Sequence, residues 1–174
     1  MPLITPHPSP KFRTKSEADN YFMLMALDER KASDDPKAQY VVQSGVAAII
    51  VRDGKLIAKS ANVLPPSLKA HHVETAKSIS EDERYHFVEH AERAAIMQAL
   101  LRQESLEGAT LYCTRFACSD CARAIIWSGI KRVVFASGFA GEAKWLLAQR
   151  AAKDMLRLAG ITVRVLAPVS NVIR

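Results

Sequence analysis

Between residues 109 and 167 the chain alternates strand-like and helix-like segments at a spacing that few folds accommodate. ATLYCTRF (109–116) reads as a strand. Residues 119–129 read as a helix ending at Gly129, and KRVVFAS (131–137) as a strand. Residues 142–159 read as a helix stopped by Gly160, and ITVRVLA (161–167) as a last strand. Strand–helix–strand alternation means βαβ units. The helix between the last two strands is long enough for a right-handed crossover, so those two strands should run parallel. Upstream, the apolar runs 45–52 and 55–61 flank Asp53-Gly54, the strongest short-range signal for a tight hairpin. The expected fold is α/β: a three-layer α/β/α arrangement around a five-stranded mixed sheet, with helices on both faces.

The remaining segments fit around that sheet. Residues 16–33 read as a first helix, with Ser16 as its cap and Glu17 and Asp19 in the first turn, where negative charge suits the helix dipole. Asp34-Asp35-Pro36 should stop it. Residues 63–86 form a long polar connection carrying Pro65, Pro66, His71, His72 and His86, with a short helix expected around 75–84. Connections this long are usually functional or disordered. Four prolines in the first ten residues suggest that 1–15 is a flexible arm, leaving 16–174 as a single domain. A chain of 174 residues can bury a sizeable core without staples. No apolar run approaches the length of a membrane span, and the N-terminus lacks the pattern of a secretory signal. Three cysteines argue against a disulfide framework, and the chain reads as cytoplasmic. The formal charge of +6 fits an anionic small-molecule partner such as a nucleotide. A nucleic-acid surface is the less favoured reading, because a modest charge excess speaks mainly to solubility and encounter rates.

The chemistry sits at two helix starts. Cys118 and Cys121 are three apart at the head of the 119–129 helix, so both sulfurs can face one ion, and a helix N-terminus favours thiolate. Alone, such a pair is a redox couple, a structural zinc half-site or chance. Far upstream, VEHAERAAIM puts His90 and Glu92 two residues apart at the head of the 90–103 helix. One imidazole and two thiolates make three zinc ligands, the number that leaves a catalytic site one open position. Glu92, one residue beyond a ligand, can reach a water on the zinc and carry its proton to a leaving nitrogen. On its own, Glu92 would be an ordinary first-turn glutamate. Cys113 lies inside a strand and reads as a small core residue.

This combination, His-x-Glu followed by Cys-x-x-Cys, resembles the signature of the zinc-dependent cytidine and deoxycytidylate (dCMP) deaminases, and among them the chain looks most like the dCMP deaminases. NYFMLMALDERKASDDP resembles their opening helix and its Asp-Pro exit, here Asp35-Pro36. SANVLPP resembles the loop usually written G-Y-N-G-x-P, with Asn62 and Pro65 retained. EHAERAAI resembles H-A-E-x-N-A-I, and EGATLYCTRFACSDCARAIIWSGIKRVVF resembles the second zinc segment. AAKDMLRLAGITVRVL resembles the closing helix and strand. The resemblance covers about residues 19–166 and implies a zinc cofactor held by His90, Cys118 and Cys121, with Glu92 as proton shuttle. It also implies that Asn62 bonds the substrate near its sugar and that Ala91 offers its backbone close to the base. Parallel closing strands fit the branch holding the dCMP and tRNA adenosine deaminases. Dimers or larger rings are common in the family, so a homo-oligomer is expected.

Three departures fall on the pocket rather than on the zinc or the shuttle. Ala117 replaces a proline, Ala94 an asparagine, and Ser60 and Val63 replace glycines of the asparagine loop. Phe116 has two readings, a wall against the bound base or core. Lys59, Lys69 and Arg115 are candidates for a 5′-phosphate. His71, His72 and His86 could hold a second metal, with exposed loop histidines as the default. Arg150, Lys153 and Arg157 share one helix face, ordinarily a solvated one. The expected reaction is hydrolytic deamination of dCMP to dUMP and ammonia. The rivals are another nucleobase (tRNA adenosine, guanine or a modified cytosine nucleotide) and a zinc-stabilised binding module using Cys113 as fourth ligand.

Overall fold

The computed structural model describes residues 10–35, 38, 45–69, 84–139 and 143–166. Its elements are α1 (Lys15–Glu29), β1 (Ala47–Arg52), β2 (Lys55–Ala61), α2 (Ala91–Leu101), β3 (Thr110–Cys113), α3 (Ser119–Trp127), β4 (Arg132–Phe135), α4 (Ala143–Leu158) and β5 (Thr162–Val165). The sheet runs β2-β1-β3-β4-β5. β1 pairs antiparallel with β2 and with β3, while β3, β4 and β5 are parallel. This is the five-stranded mixed sheet read from the alternation. The hairpin closes where the sequence placed it. Asp53 and Gly54 both have positive φ, 51° and 73°, as a primed two-residue turn requires.

Alternation along the strands divides the core in two. Ala48 and Ile50 of β1, Leu111 and Cys113 of β3, and Val133 and Phe135 of β4 face one side, against α2, α3 and Leu156 of α4. Ile49, Val51, Tyr112 and Val134 face the other, against Phe22, Met23 and Ala26 of α1. Each fully buried Val, Ile or Leu contributes about 1.5–3 kcal/mol. With α1 on one face and α2, α3 and α4 on the other, the described residues form three layers.

Several boundaries differ from the sequence reading, each for a tertiary reason. The cap of α1 is Thr14 rather than Ser16: Thr14 Oγ1 accepts from the Glu17 N–H at 3.1 Å. Ser16 Oγ instead accepts from Arg164. Phe12 packs on Tyr21 and Phe22 with ring centroids 5.3 and 5.5 Å apart. β3 is four residues long, because Thr114 turns back to β1. Its N–H donates to the Ala47 carbonyl, and its Oγ1 accepts from the Ala47 N–H, both at 3.0 Å. Residues 114–118 are thereby freed to form the site. The helix expected around 75–84 lies almost wholly outside the described residues, as do His71 and His72.

Candidate metal centre

Two helices begin beside each other at the carboxyl end of β3. His90 is the N-cap residue of α2 and Cys118 the N-cap residue of α3. Neither side chain caps its own helix, a sacrifice of about 1 kcal/mol at each start. They turn towards each other instead. His90 Nδ1 lies 3.5 Å from Cys118 Sγ and 3.5 Å from Cys121 Sγ. Tetrahedral zinc, with Zn–S near 2.3 Å and Zn–N near 2.05 Å, places such donors about 3.6 Å apart. The donor set and its spacing therefore fit zinc. Among the described residues no fourth His, Cys, Asp or Glu joins the cluster. Cys113 is buried in β3 outside it, which leaves the thiol-rich structural site without its fourth ligand.

The electrostatics favour a cation there. Cys118 is pushed down to about 4, first by a hydrogen bond from the Cys121 thiol and then by His90, against burial. Cys121, as the donor, is raised, with burial adding to the effect. His90 is raised by its bond to Cys118, with burial opposing. Both thiols lie at the positive end of α3, which favours the thiolate form that binds a divalent ion.

Glu92 stands in the first turn of α2, buried and outside the ligand cluster. Burial raises its carboxyl above the ordinary value, with the nearby His90 opposing. The Cys113 and Cys121 thiols are close enough to interact electrostatically with the Glu92 carboxyl. A buried carboxyl whose proton affinity is raised in this way is a candidate proton carrier.

The other expected residues fall into two groups. Asn62 and Ala91 are joined: Asn62 Oδ1 accepts from the Ala91 N–H at 3.0 Å. Phe116 is buried next to the centre, its ring 4.3 Å from Phe135 and 4.7 Å from Phe139. Of the phosphate candidates, Lys59 pairs with Glu29 at 2.6 Å and Lys69 with Asp34 at 2.9 Å. Arg115 is half-buried and close enough to Arg30 to disfavour its charge, second to Arg30's own burial. His86 is exposed, as are Arg150, Lys153 and Arg157. Ala94 and Ala117, two of the departures, are buried.

Supporting residues also emerge that the sequence reading passed over. Glu89 accepts from the His90 N–H at 2.9 Å and from Arg93 Nε at 2.6 Å, and Arg93 reaches Asp120 of α3 at 3.6 Å. This bridge ties the two metal-bearing helices together. The four-residue spacing of Glu89 and Arg93 was its only local sign. Trp145 of α4 packs edge-on against the His90 ring at 6.0 Å, with no sequence signal at all.

The family model for the cytidine and deoxycytidylate deaminase zinc-binding region matches residues 16–137. The chain belongs to this family. It is similar to the deoxycytidylate deaminase of Pongo abelii, 32% identical over 155 residues that cover 87% of this chain and 81% of that one. The Mus musculus deoxycytidylate deaminase is 29% identical over 154 residues with the same coverage. In fold it is similar to the dCMP deaminase of cyanophage S-TIM5 in complex with dCMP and dUMP. That likeness has a TM-score of 0.65 at 23% identity and covers 88% of this chain and 100% of the other. The protein is a hydrolytic deaminase, and the His90–Cys118–Cys121 cluster is positioned to hold the family's zinc.

Proposed function

We propose that the enzyme converts dCMP and water to dUMP and ammonia, with His90, Cys118 and Cys121 as zinc ligands and Glu92 as the proton carrier. The observation that carries the reaction is the buried Glu92 carboxyl, two residues beyond His90 of a three-donor cluster. The substrate rests on likeness to deoxycytidylate deaminases over most of the chain. When bound, zinc supplies the Lewis acidity that makes water nucleophilic near neutral pH.

The chain's own groups do the rest. Glu92 accepts a proton from the attacking water and delivers it to the ring nitrogen. It then helps move a second proton to the departing amine as oxygen replaces nitrogen at C4 of the base. Asn62 spends its Oδ1 on Ala91, so it meets the nucleotide through its Nδ2 donors. Phe116, wedged between Phe135 and Phe139, backs the pocket floor. Arg115 remains to meet a 5′-phosphate, since Lys59 and Lys69 already have carboxylate partners.

A substrate panel tests the reading: dCMP, deoxycytidine, guanine and a tRNA anticodon stem, each watched for ammonia release. dCMP should turn over with kcat/KM at least about 100-fold above deoxycytidine, the scale of one lost charged contact pair. Zinc-loaded protein silent on dCMP and active on another substrate would refute the substrate assignment.

A further inference from the structure

The exit of α1 reaches the site through one carboxylate. A 3-10 turn (Arg30–Ala32) follows α1, Ser33 leaves that turn with extended backbone (φ −69°, ψ 133°), and Asp34 follows it onto the loop carrying Asn62. The Asp34 N–H and Ser33 Oγ both donate to the Asn62 carbonyl, at 2.9 and 3.2 Å. Asp34 Oδ2 accepts from the Leu64 N–H at 3.1 Å, and Oδ1 pairs with Lys69 at 2.9 Å. Asp34 therefore grips the loop at two points, residue 62 through its backbone and residue 64 through its side chain. The loop is held elsewhere as well. The Asn62 N–H donates to the Val46 carbonyl at 2.9 Å, and Val63 exchanges hydrogen bonds with Glu89 at 3.1 and 2.8 Å. The last link is the bond from the Ala91 N–H to Asn62 Oδ1, which ends between His90 and Glu92.

We propose that Asp34 is a positioning residue for the reaction: its carboxylate fixes the 62–64 loop and, through Asn62, the pocket rim at Ala91. The proposal rests on the dCMP reading for its assay. Physically, α2 and α3 hold Glu92 and the metal ligands without help from Asp34. Loosening the loop therefore weakens the hold on the substrate and leaves the chemical groups in place. Losses of that kind appear in KM and spare kcat.

Steady-state kinetics on dCMP, with zinc content measured alongside, test this in the wild type, Asp34→Ala, Asp34→Asn, Asn62→Ala and the Asp34→Ala/Asn62→Ala double variant. Asp34→Ala should raise KM about tenfold, with kcat within about threefold and zinc content unchanged. Asp34→Asn keeps an oxygen for the Leu64 N–H and should recover most of that loss; the exposed Lys69 pairing matters little. In the Asn62→Ala background, Asp34→Ala should add less than about twofold, because its route to the site is gone. An unchanged KM in Asp34→Ala overturns the proposal. So do factors that multiply in full in the double variant, and so does a fall in kcat that tracks lost zinc. Should Asp34→Ala fail to fold, Ser33→Ala removes one donor to the Asn62 carbonyl and should shift KM in the same direction; no shift counts against the proposal. A wild type inactive on dCMP defeats the substrate reading instead, and the same series is then read on whichever panel substrate turns over.

Discussion

Asp19 and Glu92 both sit near the starts of helices on opposite faces of the sheet, and both are buried, with 0% and 3% relative exposure. Their surroundings set them to opposite tasks. Asp19 is saturated with partners. Tyr112 Oη donates to it at 3.0 Å, Arg132 binds both its oxygens at 2.7 Å, and Arg164 donates at 2.6 Å. Burial alone would raise its carboxyl, but Arg132, Tyr112 and Arg164 more than offset that and hold it below the ordinary value. The same burial, with the Asp19 charge, pushes the Tyr112 hydroxyl up to about 12. Among the described residues no Lys or Arg pairs with Glu92, and burial wins. A buried carboxylate with fixed cations holds a fold together. One left among thiols and an imidazole has burial as its largest influence, and its proton affinity rises.

The linkage to pH has opposite signs at the two sites. Asp19, with a lowered folded pKa, contributes stability that is full above its ordinary value of 3.8 and is lost as pH falls through the lower folded value. Glu92, with a raised folded pKa, contributes stability that is present below its ordinary value of 4.5 and is lost as pH rises through the folded value.

Asp19→Ala gives the comparison its hardest test on the structural side. Removing the carboxylate strands Arg132 with 11% of its side chain exposed, and its Nε is already buried without a partner. Denaturant unfolding should show a loss of about 3–5 kcal/mol, with kcat of the folded fraction within about twofold. A large fall in kcat at unchanged stability would reverse the assignment of the two faces. A smaller effect sharpens the contrast between helix starts. Thr14→Ala removes the side-chain cap of α1 and should cost about 1 kcal/mol of stability with no change in turnover. A change in KM or kcat would show that the α1 face also tunes the site.

Both faces differed in how much of them the sequence disclosed. Local rules reach local features. Asp53-Gly54 announced its turn, the strand–helix alternation announced the parallel strands, and the His-x-Glu and Cys-x-x-Cys motifs pointed to the cluster of His90, Cys118 and Cys121 that the fold brings together. Asp19 could be read only as a first-turn charge, because its partners come from β3, β4 and β5, 93, 113 and 145 residues away. The cap of α1 was misplaced by two residues for a related reason, since Ser16 is engaged by Arg164. Asp34 was read as part of a helix stop, although its carboxylate also binds a loop thirty residues on. Trp145 joins the centre only because α4 folds back against α3, which starts beside His90, and no spacing rule foretells that.

The most direct test compares zinc-loaded wild type with Glu92→Gln on dCMP, following ammonia and dUMP together and measuring zinc in both proteins. Glutamine keeps the size of Glu92 and removes its titratable carboxyl. Turnover should fall by about 10²–10⁴-fold, with zinc content and fold unchanged. A Glu92→Gln enzyme that retains wild-type turnover would contradict the assignment of Glu92 as proton carrier.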